Sequence, residues 1–354
     1  MVTNNDTELL RSIGLSLIAL GVVLTGLVLG SSLLIPLAIA VLIWNLFEAL
    51  IDGVCRIGKG RFQLPRWFAA ILVLGVVSFV LYLIADILLG QADAIAAAWP
   101  QYEERLKAII DGWAKWLGPV QSAKVSGALA KIDVMSQVKG LFVSAQSFIL
   151  GVALIILYVG FLFAESEYVG DKIAALFPAG EKARDVDRML SAISGSIRRY
   201  IWIKTLVSAL TGLLSYAVLH WIGVDFAETW ALLIFFLNYI PNVGSVLGVI
   251  FPALLALVQF NTLEPFLGIA IGLTTVHLLI GNVVEPMLMG HSLNMSSFVI
   301  VLSLTFWGTI WGVVGMFLSV PIMVLIMIVC ANVPSWRWVA VLLSKDGRID
   351  TAPH

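Results

Sequence analysis

Charge is scarce in this sequence, since only 12% of its 354 residues are Asp, Glu, Lys or Arg. Ordinary globular proteins carry about 25%. Hydrophobic residues make up 60% of the chain instead. Soluble cores of this size could not hide so much apolar area, because a folded chain in water needs polar groups on its surface. The composition therefore excludes a soluble enzyme, a disordered protein and a disulfide-stabilised scaffold, and it predicts an all-α polytopic membrane protein.

Several chemical signatures are also absent. The net charge is −1, so no overall positive field would recruit nucleic acid. The two cysteines, Cys55 and Cys330, match no metal-binding or redox spacing. The sequence contains no phosphate-binding glycine loop, no His-Glu-x-x-His zinc motif and no Gly-x-Ser-x-Gly nucleophile motif. We therefore expect no enzymatic activity, cofactor or metal site, and a carrier or channel for small molecules is the class that remains.

Long apolar stretches are what the sequence has in abundance, and each is long enough to cross a bilayer. Their approximate bounds are 12–29, 31–51, 67–90, 141–164, 202–222, 229–257, 265–284 and 298–333. We read the first as a retained signal anchor, joined to the second by a tight hairpin at 30–32. The pattern thus predicts about eight transmembrane spans.

Basic residues predict the orientation of these spans, because cytoplasmic loops are enriched in Lys and Arg. The segments 52–66, 165–200 and 334–354 are basic, whereas no Lys or Arg occurs in the 132 residues between Lys204 and Arg337. Eight spans then place both termini in the cytoplasm. The predicted segments are 1–90 (N-terminal transmembrane helices), 91–140 (amphipathic helical insertion outside the cytoplasm), 141–204 (fourth span and cytoplasmic amphipathic helix), 205–333 (transport core) and 334–354 (cytoplasmic tail).

The sixth apolar stretch contains a polar break at 238–245. Pro241 removes a backbone donor and Gly244 favours opening of the helix. Irregular backbone at membrane depth is tolerated only inside protein or beside a water-filled cavity. The break therefore predicts either a discontinuous helix with a small polar binding site or a proline kink whose asparagines bond neighbouring helices. The candidate substrate-binding residues here are Asn238, Tyr239, Asn242 and Ser245.

A second polar cluster follows at 277–286. Asn282 and Glu285 are three residues apart and share a helix face, which makes Asn282 a further candidate for substrate binding. Glu285 is a candidate for proton coupling, because an ionisable residue near the membrane interior is a functional hypothesis by default. The alternative is a carboxylate at a helix end, stabilising a turn before Pro286. His277 is a second candidate for proton coupling, or a packing histidine.

The last apolar stretch is interrupted by glycines and a proline. Gly308, Gly312 and Gly315 lie near one helical face, which permits either close helix packing or a flexible break. The candidate hinge residues of the C-terminal half are therefore Pro241, Gly244, Pro286, Gly312, Gly315 and Pro321.

The segments 238–245, 281–290 and 312–321 together resemble the signature of the autoinducer-2 exporter family of bacterial membrane proteins, and most of all its branch named for export of the quorum-sensing signal. The resemblance covers nearly the whole chain. It implies an inner-membrane exporter of small molecules, assembled as a homo-oligomer (a pentamer) and working by an elevator-like movement. It also implies that Asn238, Asn242, Ser245, Asn282 and Glu285 line the pore.

Three functions are compatible with the sequence. The leading hypothesis is secondary export of a small polar metabolite such as autoinducer-2, with the lipid bilayer and the substrate as its partners. The second is a sodium- or potassium-proton antiporter. The third is a non-transporting membrane scaffold whose outer segment 91–140 binds a partner.

Overall fold

The structure, a computed structural model, describes residues 4–57, 64–117, 151–166, 168–176, 181–260, 262–289 and 294–347. These residues are almost entirely helical, and within them the sole β contact is an isolated bridge between Met295 and Ser344. The helices are α1 (Asn4–Leu29), α2 (Ser31–Ile57), α3 (Arg66–Leu117), α4 (Gly151–Ser166), α5 (Val169–Leu176), α6 (Glu181–Ile222), α7 (Ala227–Leu237), α8 (Val243–Gln259), α9 (Leu263–Leu279), α10 (Glu285–Met289), α11 (Ser297–Asn332) and α12 (Arg337–Leu343). The predicted all-α fold class is confirmed.

Several helices have the length and apolar composition of membrane spans. Among the described residues there are five, or six when the bent pair of α4 and α5 counts as one. Their outward faces carry large exposed apolar side chains, such as Trp67 and Phe79 of α3, as expected of surfaces that contact lipid. A multi-pass helical membrane protein is thus confirmed, while the number eight remains a prediction.

The junction between α1 and α2 differs from the sequence prediction. Only Gly30 separates the two helices, and the helical hydrogen bonds from Gly30 N to Gly26 O and from Leu34 N to Gly30 O reach into both. Two antiparallel helices need a connection of about two to five residues. The predicted tight hairpin at 30–32 is therefore wrong.

Two predicted boundaries fall inside continuous helices. The apolar stretch 67–90 and the first part of the predicted insertion 91–140, up to Leu117, are both parts of α3, which is 52 residues long. The basic segment up to Arg199 and the following span are both parts of the 42-residue α6. The rest of the predicted insertion, from residue 118 on, and the first part of the predicted fourth span lie outside the described residues.

The chain divides into two compact units, each assembled from separated segments. The first contains residues 1–44, 151–190 and 295–351. Within it α11 folds back on itself at Gly312, whose φ of 63° and ψ of −144° are not helical. Ser303 Oγ donates to the carbonyl oxygen of Ser319 at 3.3 Å. Sixteen residues of continuous helix would separate these two by about 24 Å, so the two halves of α11 run side by side.

The second unit contains residues 45–150, 191–294 and 352–354, and α6, α7, α8 and α9 form its core. Leu219 of α6, Ile234 of α7, Ala256 of α8 and Leu273 of α9 are fully buried against one another. Small residues allow close approach, since a Cβ atom on Gly272 would lie 2.8 Å from a methyl group of Val218. This packing holds the broken segment of the sixth apolar stretch against α6.

Ion pairs tie three helices of the second unit together. The carboxylate of Glu48 in α2 is nearly buried and pairs with Arg66 of α3, and Arg198 of α6 lies 3.8 Å from it. Arg198 also bonds Asp52 at 3.0 Å. A buried carboxylate is stable only when such partners neutralise it. These contacts fix α6 at Arg198 within the unit.

Candidate functional site

The sixth apolar stretch is a helical hairpin made of α7 and α8. The rings of Trp230 and Phe251 stack with centroids 6.5 Å apart. A continuous helix would separate these residues by about 31 Å. At the open end of the hairpin, the Gln259 amide accepts from Asp225 N and donates to Gly223 O, both at 2.9 Å. The predicted break is confirmed, and it is a complete reversal of the chain rather than a kink.

The tip of this hairpin, residues 238–242, is a compact turn. Ile240 N donates to Leu237 O at 2.9 Å and Gly244 N to Ile240 O at 3.0 Å. Pro241 has no N–H to continue the helix of α7. Asn242 has a φ of 61°, a conformation that asparagine tolerates better than most residues. Pro241 and Asn242 therefore both have a local structural role in this turn.

Gly244 permits the end of α7 and the start of α8 to approach each other closely. A Cβ atom at this position would lie 1.8 Å from the carbonyl oxygen of Leu237. Because that neighbour is backbone, no side-chain rotation could relieve the clash. Gly244 therefore serves as a close-packing residue of the turn.

The tip is anchored to α6 through side chains. Asn238 Nδ2 donates to Ser208 Oγ at 3.0 Å, and the Tyr239 hydroxyl donates to Thr205 Oγ1 at 2.7 Å. Ser208 is fully buried. In a membrane protein such contacts provide hydrogen bonding that lipid cannot supply. Two of the predicted binding residues thus contact a polar face of α6.

A buried ion pair lies beside the anchored tip. Lys204 Nζ is 2.7 Å from Glu285 Oε1, and the exposed fractions of the two side chains are 5% and 22%. Lys204 immediately precedes Thr205, the partner of Tyr239. The buried Tyr200 lies within electrostatic range of both Glu285 and Tyr239. Glu285 is therefore neither a lone carboxylate nor a simple helix end, and the ammonium group of Lys204 is buried against it.

The helix that carries Glu285 is irregular immediately before it. Residues Ile280–Val284 form a π-helical turn, and Glu285 N donates to Ile280 O, five residues earlier. Pro286 lacks the donor that a regular α-helix would need at this point. Such π turns concentrate at functional sites. The turn places Glu285 toward Lys204.

Three of the predicted site residues occupy other surroundings. Ser245 donates to the backbone oxygen of Asn242 at 2.9 Å, which stabilises the start of α8. Asn282 is exposed in the π turn. His277 packs against Gly248 of α8, and its Nε2 atom is buried with no hydrogen-bond partner among the described residues. His277 therefore faces the side of the hairpin rather than the ion pair.

The predicted hinges of the last stretch belong to the other unit. Gly312 is the point of reversal in α11, and Gly315 lies so close to Trp307 that a Cβ atom would be 1.9 Å from its carbonyl oxygen. Pro321 is buried within the second half of the same helix. Each compact unit thus contains its own helical hairpin with a closely packed glycine.

Sequence reasoning missed the polar face of α6. Its members are buried, and they recur at helical spacing: Lys204, Ser208, Thr211 and Ser215. Polar residues at intervals of three or four within an apolar stretch predict a polar stripe facing protein rather than lipid. That signal could have identified Lys204 as the partner of Glu285. Over the described part of the chain, no cluster of three or more His, Cys, Asp or Glu side chains could hold a metal ion.

Comparisons with known proteins cover almost the entire chain. The family model described as AI-2E family transporter matches residues 17–335. The AI-2 transport protein TqsA of Escherichia coli K12 is 29% identical over 350 residues, 97% of both chains. A Haemophilus influenzae protein named "Putative transport protein" is 28% identical over 353 residues, 96% of this chain and 97% of its own. A protein of Borreliella burgdorferi with the same name is 37% identical over 166 residues, 47% of this chain and 46% of its own.

Proposed function

Because the chain belongs to the AI-2E transporter family, we propose that it is a secondary transporter that exports a small polar metabolite, an autoinducer-2-like quorum-sensing signal. The observation that supports this proposal most strongly is the polar tip of the α7–α8 hairpin, held against a buried polar face of α6. One similar protein is named an AI-2 transport protein, which supports the choice of substrate.

The chemistry of the tip suits an uncharged, hydroxyl-rich solute. Asn238, Tyr239 and Asn242 provide amide and hydroxyl groups that both donate and accept hydrogen bonds. The nearest charges, Lys204 and Glu285, neutralise each other. A solute without charge could exchange hydrogen bonds with these groups without leaving an ion unpaired in the membrane. Asn282 contributes a further amide from the π turn.

The hairpins provide the moving parts of this proposal. Pro241 and Gly244 lie at the tip of the α7–α8 hairpin, and Gly312 and Gly315 lie at the reversal of α11. Pro286 follows the irregular turn that precedes Glu285. The protein would act in the bacterial inner membrane as a homo-oligomer, a pentamer by family resemblance. Both termini would lie in the cytoplasm, as the basic segments indicate.

The proposal is tested by flux in proteoliposomes. The purified protein should move labelled autoinducer-2 faster than empty vesicles. Asn238→Leu removes the bond to Ser208, and we expect it to reduce the rate about tenfold, the upper range for one net hydrogen bond. Asn332→Leu is the matched control, because the Asn332 amide bonds only the backbone oxygen of Ile328 in its own helix. Flux equal to that of empty vesicles, with or without a pH gradient, would show that the substrate is wrong.

Cation-proton antiport is a second candidate function, favoured by one observation. The Glu285 carboxylate retains 22% exposure, so protons could reach it while Lys204 holds it in place. Antiport predicts that Glu285→Gln abolishes sodium- or potassium-dependent pH changes in everted vesicles. It also predicts that neither the parent protein nor this variant transports autoinducer-2. Unchanged pH responses in the variant would exclude this function.

A further inference from the structure

The part of α3 beyond its membrane span contacts the open end of the α7–α8 hairpin. We infer that Gln91, Tyr102 and Arg105 form a clamp that fixes this end of the hairpin, so that transport moves the tip while the base stays in place. These three are positioning residues, since they act on transport through the hairpin. The inference rests on the proposed transport function for its consequence, although the clamp itself is independent of any substrate.

The three residues lie on one face of α3. Tyr102 follows Gln91 by eleven residues, which is about three turns of helix and returns to the same face. Arg105 follows Tyr102 by three residues, which is the spacing of neighbours on a helix surface. The span of α3 ends near Ile87, so all three lie beyond it, on the side predicted to be outside the cytoplasm. The face therefore extends over about 21 Å of helix.

Each member of the clamp has a polar partner at the hairpin base. Gln91 Nε2 donates to Glu228 Oε2 at 2.8 Å, and Gln91 Oε1 accepts from the Thr229 hydroxyl. The Tyr102 hydroxyl donates to Asp225, just before α7. Arg105 donates to the backbone oxygen of Gln259, the last residue of α8. Both arms of the hairpin are thus held.

Burial and electrostatics distinguish these contacts from ordinary surface bonds. Tyr102 is only 8% exposed although it lies outside the span. Burial, followed by the hydrogen bond to Asp225, raises the pKa of Tyr102 above its usual range. Hydrogen bonds from its own backbone N–H and then from Gln91 lower the pKa of Glu228. The neutral phenol and the ionised carboxylate are the forms that keep the clamp closed.

The Gln259 amide completes the fixed base. It bridges Gly223 and Asp225, which precede α7, to the end of α8. At the opposite end of the hairpin, the tip bonds α6 through neutral groups, Asn238 to Ser208 and Tyr239 to Thr205. Hydrogen bonds between neutral groups exchange more readily than those to charged groups. Movement at the tip around a fixed base follows from this difference.

Chemical crosslinking tests the clamp with two matched cysteine pairs. In a protein carrying Cys55→Ser and Cys330→Ala, the clamp pair is Gln91→Cys with Thr229→Cys, and the tip pair is Ser208→Cys with Asn238→Cys. Each pair replaces a long side chain and its short hydroxyl partner. A short bifunctional thiosulfonate crosslinks the two thiols of either pair. Lys107→Ala, on the exposed surface of α3, is the control for the effect of a substitution on that helix.

Hydrogen exchange gives a readout that needs no substrate. The clamp pair removes two hydrogen bonds, from Gln91 to Glu228 and from Thr229 to Gln91. Before crosslinking, it should therefore increase amide exchange at residues 227–231 by at least about 2- to 10-fold, the factor that one net hydrogen bond represents. Crosslinking should restore the original rate, and Lys107→Ala should not alter it. Unchanged exchange at 227–231 in the open clamp pair would overturn the inference.

Flux then tests the consequence for transport. The open clamp pair should lower the maximal rate and leave KM within about twofold, because substrate meets the tip rather than the base. Crosslinking the clamp pair should restore the rate, whereas crosslinking the tip pair should stop it. Each crosslinked protein is compared with the same pair before crosslinking. Loss of flux on crosslinking the clamp pair, or an unchanged rate on crosslinking the tip pair, would overturn the inference. If the unmodified protein moves no autoinducer-2, the proposed substrate fails, and hydrogen exchange still decides on the clamp.

Discussion

The buried pair of Lys204 and Glu285 makes a quantitative prediction about stability. Removing one partner of a buried ion pair costs about 3–5 kcal/mol, because the remaining charge has no counter-ion. Lys204 is 5% exposed, so Glu285→Gln should lie at the upper end of that range. Glu285 is 22% exposed, so Lys204→Met should lie near about 3 kcal/mol, since solvent screens the remaining carboxylate.

Replacing both charges removes the unpaired ion as well. The double variant Lys204→Met with Glu285→Gln should therefore lie within about 1 kcal/mol of the parent, as neutral replacements of buried pairs commonly do. The coupling energy between the two sites, which is the sum of the two single losses minus the loss in the double variant, should therefore be at least about 5 kcal/mol. The free energy of unfolding in detergent micelles, from denaturant titration of all four proteins, provides the measurement.

A matched exposed pair controls for generic charge effects. Lys107 and Glu103 of α3 are 2.6 Å apart, with side chains 63% and 49% exposed. The same cycle at this pair should give a coupling of about 0.5 kcal/mol or less. Additive effects at Lys204 and Glu285, within about 0.5 kcal/mol, would refute the argument that these charges depend on each other in a protein interior.

Three further outcomes are expected. Gly244→Ala should destabilise the protein by at least about 2 kcal/mol, because its Cβ atom clashes with backbone. The control Gly75→Ala, whose Cβ atom meets no other atom within 4 Å, should be neutral or stabilising. Thermal unfolding of both variants measures the difference, and equal melting temperatures would contradict the clash. Gln91→Leu removes a donor that lowers the pKa of Glu228 in the folded protein. Its stability deficit should be full above the unfolded-state pKa of about 4.3 and should shrink as the pH falls through the lower folded-state pKa. An acid titration of the unfolding free energy measures this, and a deficit that grows toward low pH would contradict it. Asn238→Leu should slow flux while Asn332→Leu does not, and equal rates would remove the anchored tip from the transport path.

The sequence predicts the broken helices well because their causes are local. Pro241 cannot continue a helix, and a glycine such as Gly312 readily adopts a positive φ. Whether a break becomes a kink or a reversal depends on the packing of the arms. In the α7–α8 hairpin, that packing involves Ile234 and Ala253, which are close in space and distant in sequence. The reversal therefore could not be deduced from the turn alone.

The partner of Glu285 illustrates the same limit. Glu285 stands out in the sequence as an isolated acidic residue, yet its counter-ion lies 81 residues earlier in α6. Near the end of an apolar stretch, a lysine is equally compatible with reaching the membrane surface. Only the antiparallel packing of α6 and α9 brings the two charges together. The expected hairpin at Gly30 failed for the opposite reason, because glycine and serine permit a turn without requiring one.

Substrate protection of the hairpin tip from thiol labelling is the decisive test of whether the substrate binds at this tip. In the protein carrying Cys55→Ser and Cys330→Ala, Asn242→Cys places a thiol on the exposed part of the tip, and Thr309→Cys places one on an exposed position of α11 as the control. Autoinducer-2 should slow maleimide labelling of the first thiol in proteoliposomes and leave labelling of the second unchanged. Equal labelling of the tip thiol with and without autoinducer-2, at concentrations that saturate flux, would contradict binding at this tip.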